Sequence, residues 1–332
     1  MILLSDIHLR DETADLVLGT ILPGIFDAAL HDGGEVGILG DVFHLRYAVQ
    51  VRLLNALRDE FLRWTAAGLA VRIIPGNHDQ IDVQGRNALE TLGDIEGVRV
   101  YTDPTWDESG LWVPYRKNQE EIAEALRSVA IGVPITPVVF MHHGVRGAYM
   151  NNNHRDEDGL PVGMFAGFDM ILCGHYHKRQ HVGKNLAYIG SPYQTKADEA
   201  GQTKGYALWD GAKLTYVDKQ WGKRYYNITI ADGEDVAQVL EQVLQSAAAA
   251  DDIRVRVEGA NAHARSEVAG ELLAKSRVEH HYVQPVVEAM RARLEVNENA
   301  SIHDYARAFV GQVETSLDKK KLLDVLTEVA QC

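Results

Sequence analysis

The sequence predicts an α/β protein, and three observations carry the prediction. Short apolar runs of strand length recur through roughly the first 220 residues, helical patterns lie between them, and each run stops at a polar loop bearing His, Asp or Asn. Met1–Leu4 stops at Ser5-Asp6-Ile7-His8. Glu35–Leu39 stops at Gly40-Asp41, and Ala70–Ile74 at Pro75-Gly76-Asn77-His78-Asp79. Pro137–Met141 stops at His142-His143-Gly144, and Phe168–Cys173 at Gly174-His175-Tyr176-His177. Val49–Ala66 and Gln119–Val129 carry the helical patterns. In α/β sheets ligands gather at the carboxyl ends of strands, so five such loops point to one shared site.

From about Gln220 the character changes. Tyr225–Ile230 and Ile253–Val257 alternate as strands, Val236–Ala249 and Arg265–Lys275 read as helices, and His280–Val283 as a short strand. The last stretch is helical in two amphipathic pieces, Ile302–Leu317 and Lys319–Val329, separated by the break at Asn297-Glu298-Asn299. The expected division is an α/β domain over 1–220, a small α+β unit over 221–285 and a helical tail over 286–332.

Composition narrows the function classes. With 332 residues, 46% hydrophobic and 24% charged, the chain is ordinary globular protein, which excludes disorder and collagen-like repeats. No apolar run approaches the ~18 residues of a spanning helix, and the first residues lack the basic-then-apolar order of a signal peptide. Two cysteines, Cys173 and Cys332, provide no disulfide framework, so a cytoplasmic setting is expected. A net charge of −14 argues against holding nucleic acid by bulk electrostatics. It leaves room for a nuclease whose metal ions supply positive charge locally.

The strand-end set comprises Asp6, His8, Asp41, Asn77, His142, His175 and His177. A lone histidine is usually structural, but that reading does not explain so many at strand ends. Carboxylate, imidazole and amide donors without a thiolate suit Mn²⁺, Fe²⁺ or Zn²⁺. Asp6 and His8, like His175 and His177, lie two apart, so on an extended turn both members can face one way. Seven ligands are too many for one ion and about right for two, with one carboxylate bridging. Two ions ~3.5–4 Å apart suit hydrolysis of a phosphoester.

Asp6-Ile7-His8, Gly40-Asp41-Val42-Phe43-His44, Gly76-Asn77-His78-Asp79, His142-His143-Gly144 and Gly174-His175-Tyr176-His177 resemble, in order, the five motifs of the calcineurin-like metallophosphoesterases. The resemblance covers about the first 180 residues. It implies a four-layer α/β/β/α core with one ion held by Asp6, His8, Asp41 and His177. A second ion would be held by Asp41, Asn77, His142 and His175, with Asp41 bridging. It implies that His78 protonates the leaving oxygen or stabilises the phosphorus in flight. His143 is expected outside the ligand set, and Asp79 is expected to close its own turn.

Within that family the position three after the bridging Asp separates branches. Phosphoprotein phosphatases carry Asp there, followed by Arg-Gly; this chain has His44-Leu45-Arg46. Gly-Asp-Val-Phe-His and Ser5-Asp6-Ile7-His8-Leu9 resemble the SbcD-type double-strand-break-repair nucleases and their phage recombination counterparts. That resemblance implies that His44 acts with His78, that the metal is Mn²⁺, and that the partners are DNA and a coiled-coil ABC-type, SbcC-like ATPase. Gly190-Ser191-Pro192-Tyr193-Gln194, Asp198-Glu199 and Lys204-Gly205-Tyr206 resemble the segment closing the nuclease domain. Residues 221–285 would then be a capping domain, and the final helices the ATPase-docking segment.

Loop cations Arg46, Arg146, Arg155, Lys178 and Arg179 are candidate DNA contacts, Arg46 and Arg155 foremost, while Lys319-Lys320-Lys321 is read as solvating a helix start. The apolar residues Val51, Leu54, Leu57, Phe61 and Leu62 admit burial against the sheet or a homodimer face. The rival functions are a nucleotide or cyclic-nucleotide phosphodiesterase of the same superfamily, and a non-catalytic scaffold for the ATPase.

Overall fold

The computed structural model describes residues 1–45, 48–80, 87–128, 138–259 and 261–286. Two compact units are present: Met1–Tyr226 with Ala250–Asp252, and Asn227–Ala249 with the described residues after Asp252.

In the first unit β1 (Ile2–Leu4), β2 (Glu35–Leu39), β3 (Ala70–Ile74) and β4 (Val98–Val100) run parallel. They are joined by β11 (Gly205–Trp209), antiparallel to β1, and β12 (Leu214–Asp218), giving the order β12-β11-β1-β2-β3-β4. A second sheet has the order β5-β6-β7-β8-β10-β9. It consists of β5 (Thr105–Asp107), β6 (Gly110–Val113), β7 (Val138–His142), β8 (Met170–Gly174), β9 (Gln180–Val182) and β10 (Leu186–Tyr188).

Side-chain alternation assigns each strand two faces. Ile2, Leu4, Val36, Ile38, Val71 and Ile73 pack with helices in one cluster, while Leu3, Leu39 and Ile74 point the other way and meet Phe140 and Leu172 of the second sheet. Trp112 fills that inter-sheet layer, stacked 4.2 Å from Phe140 and 5.4 Å from Tyr101 between ring centroids. The far face of the second sheet, with Val113, Val139 and Ile171, packs on Ile122 and Leu126 of the helix Gln119–Ser128. Burial on both faces explains why these strands read as continuous apolar runs. Arg72 of β3, its side chain 4% exposed, reaches Asp107 of β5 at 2.8 Å and so clamps the two sheets.

The longest helical run among the described residues was not among the expected elements. It comprises a 3-10 turn (Asp11–Thr13), α1 (Ala14–Leu16), a π-helical turn (Val17–Ile21) and α2 (Leu22–His31). Its apolar residues are nearly continuous, so no 3.6-residue contrast marks it. The wide turn has a local cause: Pro23 lacks an N–H and its ring crowds the carbonyl four residues back, and the Leu22 N–H bonds instead to Val17 O. By length and composition this run could cross a bilayer, contrary to the expectation that no segment would. Its Val17, Ile21, Leu22 and Ile25 are wholly buried in the cluster against the first sheet.

Helix α3 (Val51–Ala66) buries Leu53, Leu57, Phe61 and Trp64 against the same sheet. The expected stripe is therefore rotated: Val51 and Leu62 are exposed, at 71% and 44%. The Gln119–Ser128 helix is α4. The strands β13 (Tyr225–Ile230), β14 (Asp252–Glu258) and β15 (His280–Val286) form a three-stranded sheet, and α5 (Val236–Ser246) and α6 (Ala262–Ala274) lie in the second unit. On β14, Ile253, Val255 and Val257 are buried and Arg254 and Arg256 exposed, the alternation of a sheet covered on one face. The expected helices over 302–317 and 319–329 lie outside the described residues, as do Lys319–Lys321.

Candidate metal centre

Past the ends of β1 and β2 the chain stays paired through its loops. Asp6 N–H donates to Gly40 O at 3.0 Å, His8 N–H to Asp41 O at 2.9 Å and Leu9 N–H to Val42 O at 2.8 Å. Within this pairing Asp6 (φ 54°), His8 (φ 49°) and Asp41 (φ 52°) take a left-handed backbone, and His175 (φ 98°), past the end of β8, also has positive φ. These are the non-glycine residues with positive φ among the described residues, and such strain persists only where the surroundings enforce it. The loops then close on one another at glycine. A Cβ on Gly76 would stand 2.2 Å from Asp41 Oδ1, and one on Gly174 would stand 2.1 Å from Leu39 O.

Seven donors converge. Asp41 lies between two groups: its Oδ2 is 3.7 Å from His8 Nε2, and its Oδ1 is 3.4 Å from His142 Nε2. On the first side His177 Nε2 is 3.0 Å from His8 Nε2 and 3.9 Å from Asp6 Oδ1. On the second, Asn77 Oδ1 lies 3.2 Å from His142 Nε2 and 2.8 Å from His175 Nδ1.

Whether this set fits a cation can be tested on its own atoms. Two imidazole nitrogens held ~2.1 Å from one ion at right angles are about 3.0 Å apart, the separation of the His8 and His177 nitrogens. Asp6 is wholly buried. Its Oδ2 accepts from Ser5 Oγ at 2.5 Å and from His175 N–H at 3.1 Å, while Oδ1 has no hydrogen-bond partner among the described residues. An orphaned carboxylate oxygen facing imidazole nitrogens is satisfied by a cation. The donors could hold a metal cation.

The electrostatics of the metal-free cradle divide its donors. Burial raises the Asp6 carboxyl above its usual range, opposed by His177 and His142. Asp41 is held well below the carboxylate range: burial works against this, and His142, His8 and His78 prevail. Burial pushes His175 down to about 3 and lowers His8 strongly, so both are neutral and ready to donate a lone pair. His142 is pulled the other way, to about 9; Asp41 and Asp6 outweigh its burial. Its Nδ1–H donates to Leu39 O at 2.6 Å, which turns Nε2 toward the cradle.

His78 stands at the rim of the same cavity, of about 280 Å³. Its Nδ1–H donates to His44 O at 2.7 Å and its backbone N–H to Asp41 Oδ1 at 2.8 Å, so Nε2 is the nitrogen left to act. His44 stacks on it, with ring centroids 5.5 Å apart. Arg10, which can only donate, lies 3.1 Å from His44 Nε2. That nitrogen is therefore an acceptor, and burial and Arg10 lower the ring's pKa. A guanidinium on His44 also argues against a cation among His8, His44 and His78, although their nitrogens are close enough to share one.

All nine residues expected as ligands or acid–base groups thus meet in one place. His143 does not join them: buried, it stacks on Tyr115 (5.4 Å), and its nitrogens face Gly144 O and Arg116 O. Asp79 closes its own turn by accepting from Gly76 N–H (2.9 Å), and also ties that turn to the β2 loop through Val42 and Phe43 N–H. Arg179 is not available to a ligand. Only 9% exposed, it bonds Asp218 at 2.7 Å and the carbonyl of Val217 at 3.0 Å. Arg155 lies exposed over the Tyr149 ring at 4.3 Å, and Arg46 lies outside the described residues. Arg10, Tyr193 and Lys196 also line the cavity without having been expected there. Arg10 was legible: it continues the two-residue spacing of Asp6 and His8.

No family model matches the chain. Over 180 residues it is 26% identical to the "Exonuclease subunit 1" of Enterobacteria phage T4, a region covering 52% of this chain and 51% of that protein. The chain spans about half the length of the curated relative it matches.

Proposed function

We propose that this chain is a metal-dependent DNA nuclease of the SbcD type within the calcineurin-like metallophosphoesterases. It would cleave phosphodiester bonds at DNA ends with two Mn²⁺ ions and work beside a coiled-coil ABC-type ATPase. The observation that carries this reading is the position of Asp41, whose two carboxylate oxygens face separate donor groups on either side. Asp6, His8, Asp41 and His177 would hold one ion, and Asp41, Asn77, His142 and His175 the other. Two ions so held would neutralise the phosphodiester and activate water as the nucleophile.

The chain's own residues account for the rest of the step. As the water oxygen bonds to phosphorus and the ester P–O bond breaks, the leaving oxygen needs a proton, which His78, with its ring doubly protonated, would give from Nε2. The His44 carbonyl locks the His78 ring by holding Nδ1–H, and the His44 ring packs beside it. Arg10 and Lys196, lining the same cavity, supply positive charge toward the substrate phosphates in a chain that is otherwise acidic. The similarity to a protein named as an exonuclease subunit supports both the nuclease activity and the existence of a partner. The outward-facing Val51 and Leu62 of α3 would serve pairing with a second copy.

Cleavage of labelled single- and double-stranded DNA by the purified chain with Mn²⁺, beside bis-p-nitrophenyl phosphate, tests the proposal. His78→Ala should lower hydrolysis by about 10²- to 10⁴-fold while Mn²⁺ binding by calorimetry stays within about twofold of wild type. Diester hydrolysis without DNA cleavage, unchanged on adding the ATPase, would return the reading to a small-molecule phosphodiesterase. Bound metal with neither activity would leave a scaffold.

A further inference from the structure

Behind His177 lies a buried ion pair that the proposed reaction does not use. Glu199 ends the short helical turn Ala197–Glu199, and Lys204 immediately precedes β11; they are 1% and 5% exposed. The Glu199 carboxylate accepts from His177 Nδ1–H at 2.7 Å, Thr195 N–H at 3.0 Å, the Thr195 hydroxyl and Lys204 Nζ at 2.7 Å. Lys204 Nζ also reaches Ser191 Oγ at 2.7 Å and the His177 carbonyl at 2.9 Å. The pair thus grips His177 at both ends, the ring through Glu199 and the backbone through Lys204.

Burying two charges costs several kcal/mol unless other groups are satisfied by them, so a pair in this position calls for a reason beyond closing a turn. The ring it holds supplies one. His177 is 19% exposed, whereas His142, held by a backbone carbonyl, is at 0%. With less packing around it, the His177 ring depends on its hydrogen bond for orientation. A ring that donates Nδ1–H to a carboxylate carries its lone pair on Nε2, and Nε2 is the atom facing His8 and Asp6.

We propose that Glu199, with Lys204 as its counter-ion, is a positioning residue that fixes the tautomer and orientation of His177. It thereby sets divalent-cation affinity on the Asp6–His8–His177 side of the cradle and leaves the Asn77–His142–His175 side unchanged. The inference rests on the two-ion reading above.

The test is Mn²⁺ titration by calorimetry, with electron paramagnetic resonance of the loaded protein, on three forms of the full chain. Wild type should bind two ions with the spectrum of a coupled pair. Glu199→Gln should weaken one ion by about 10- to 100-fold and leave the other unchanged, so that at one to two equivalents an uncoupled Mn²⁺ signal appears. Because this variant strands the Lys204 charge, Glu199→Gln/Lys204→Met removes both charges together. Its Tm should return toward wild type while the weak site stays weak. Recovery of affinity along with Tm would overturn the proposal by making Glu199 merely structural, as would wild-type affinity for both ions in Glu199→Gln. Wild type binding no ion would instead overturn the two-ion reading and this inference with it.

Discussion

The same strands pass through two opposite environments within the first unit. Between the sheets Leu3, Leu39, Ile74, Phe140 and Leu172 surround Trp112 in a layer of apolar side chains, and the Trp112 Nε1–H is satisfied by Asp107 Oδ1 at 3.0 Å. A few residues further along, the strand ends hold four left-handed non-glycine residues and a buried carboxylate with an unpartnered oxygen. One region is relaxed and satisfied; the other is strained and incomplete. The second can exist because the first fixes where each strand stops, and the incompleteness is what a cation would satisfy.

Removing the support should therefore show the largest effect on stability with a small effect on the donors. Trp112→Ala, deleting a wholly buried ring stacked on two others, should cost about 3–5 kcal/mol in denaturant unfolding. At a temperature where the variant is folded, Mn²⁺ affinity should stay within about threefold of wild type. Affinity falling in parallel with stability would mean that the two regions are one cooperative unit and the contrast is wrong.

The contrast also explains what was legible in the sequence. The strands feeding the site were visible because burial on both faces makes them continuous apolar runs that stop abruptly at His and Asp. The run from Asp11 to His31 was invisible for a related reason: with little polar interruption it shows neither helical nor strand period, and Pro23 within it argues locally against a helix. The outer strands β5, β6, β9 and β10 are three or four residues long, too short for any period to register, and what defines them is pairing: β6 to β7, β10 to β8, and the edge strands β5 and β9 to β6 and β10. At the site the donors were readable because each follows its strand directly. Glu199 comes to His177 across 22 residues through a turn, and no local pattern announces such a contact. Nor does sequence show that Arg179, beside the site in number, is spent on Asp218.

Acid should discriminate between the regions next. His175 titrates at about 3 in the folded metal-free chain against 6.5 when unfolded, so its contribution is fully present above pH 6.5 and is lost as pH falls toward 3. His8, also lowered by burial, acts in the same direction. His142, raised to about 9, has the opposite sign: its contribution is complete below 6.5 and fades as pH rises through 9. In chelator, His175 alone should remove on the order of 2 kcal/mol between pH 6.5 and 5. Unfolding of wild type and His175→Gln across that range isolates it, since the variant should show a shallower acid limb. Parallel limbs would mean that His175 is already solvated and that the cradle is open.

The smallest effect is the most direct test of incompleteness, because it reverses the usual sign of a core substitution. Asp6 is wholly buried, its carboxyl is raised by that burial, and Oδ1 has no hydrogen-bond partner. In Asp6→Asn the carbonyl can accept from Ser5 and His175 N–H as Oδ2 does, while a neutral amide replaces the buried charge at the orphaned position, 3.9 Å from His177 Nε2. Metal-free Asp6→Asn should thus be more stable than wild type by about 1 kcal/mol near pH 8. A carboxylate disfavoured by burial is a burden only while ionised, so the gain should shrink as pH falls through the raised folded range and vanish below 3.8, where Asp6 is protonated folded and unfolded alike. With Mn²⁺ the order should invert, because the stabilisation from binding, which grows as RT ln(1 + [L]/Kd), is weakened in the variant. A variant less stable than wild type both with and without metal would show that Asp6 is satisfied as it stands, and the strand ends would then be ordinary polar turns.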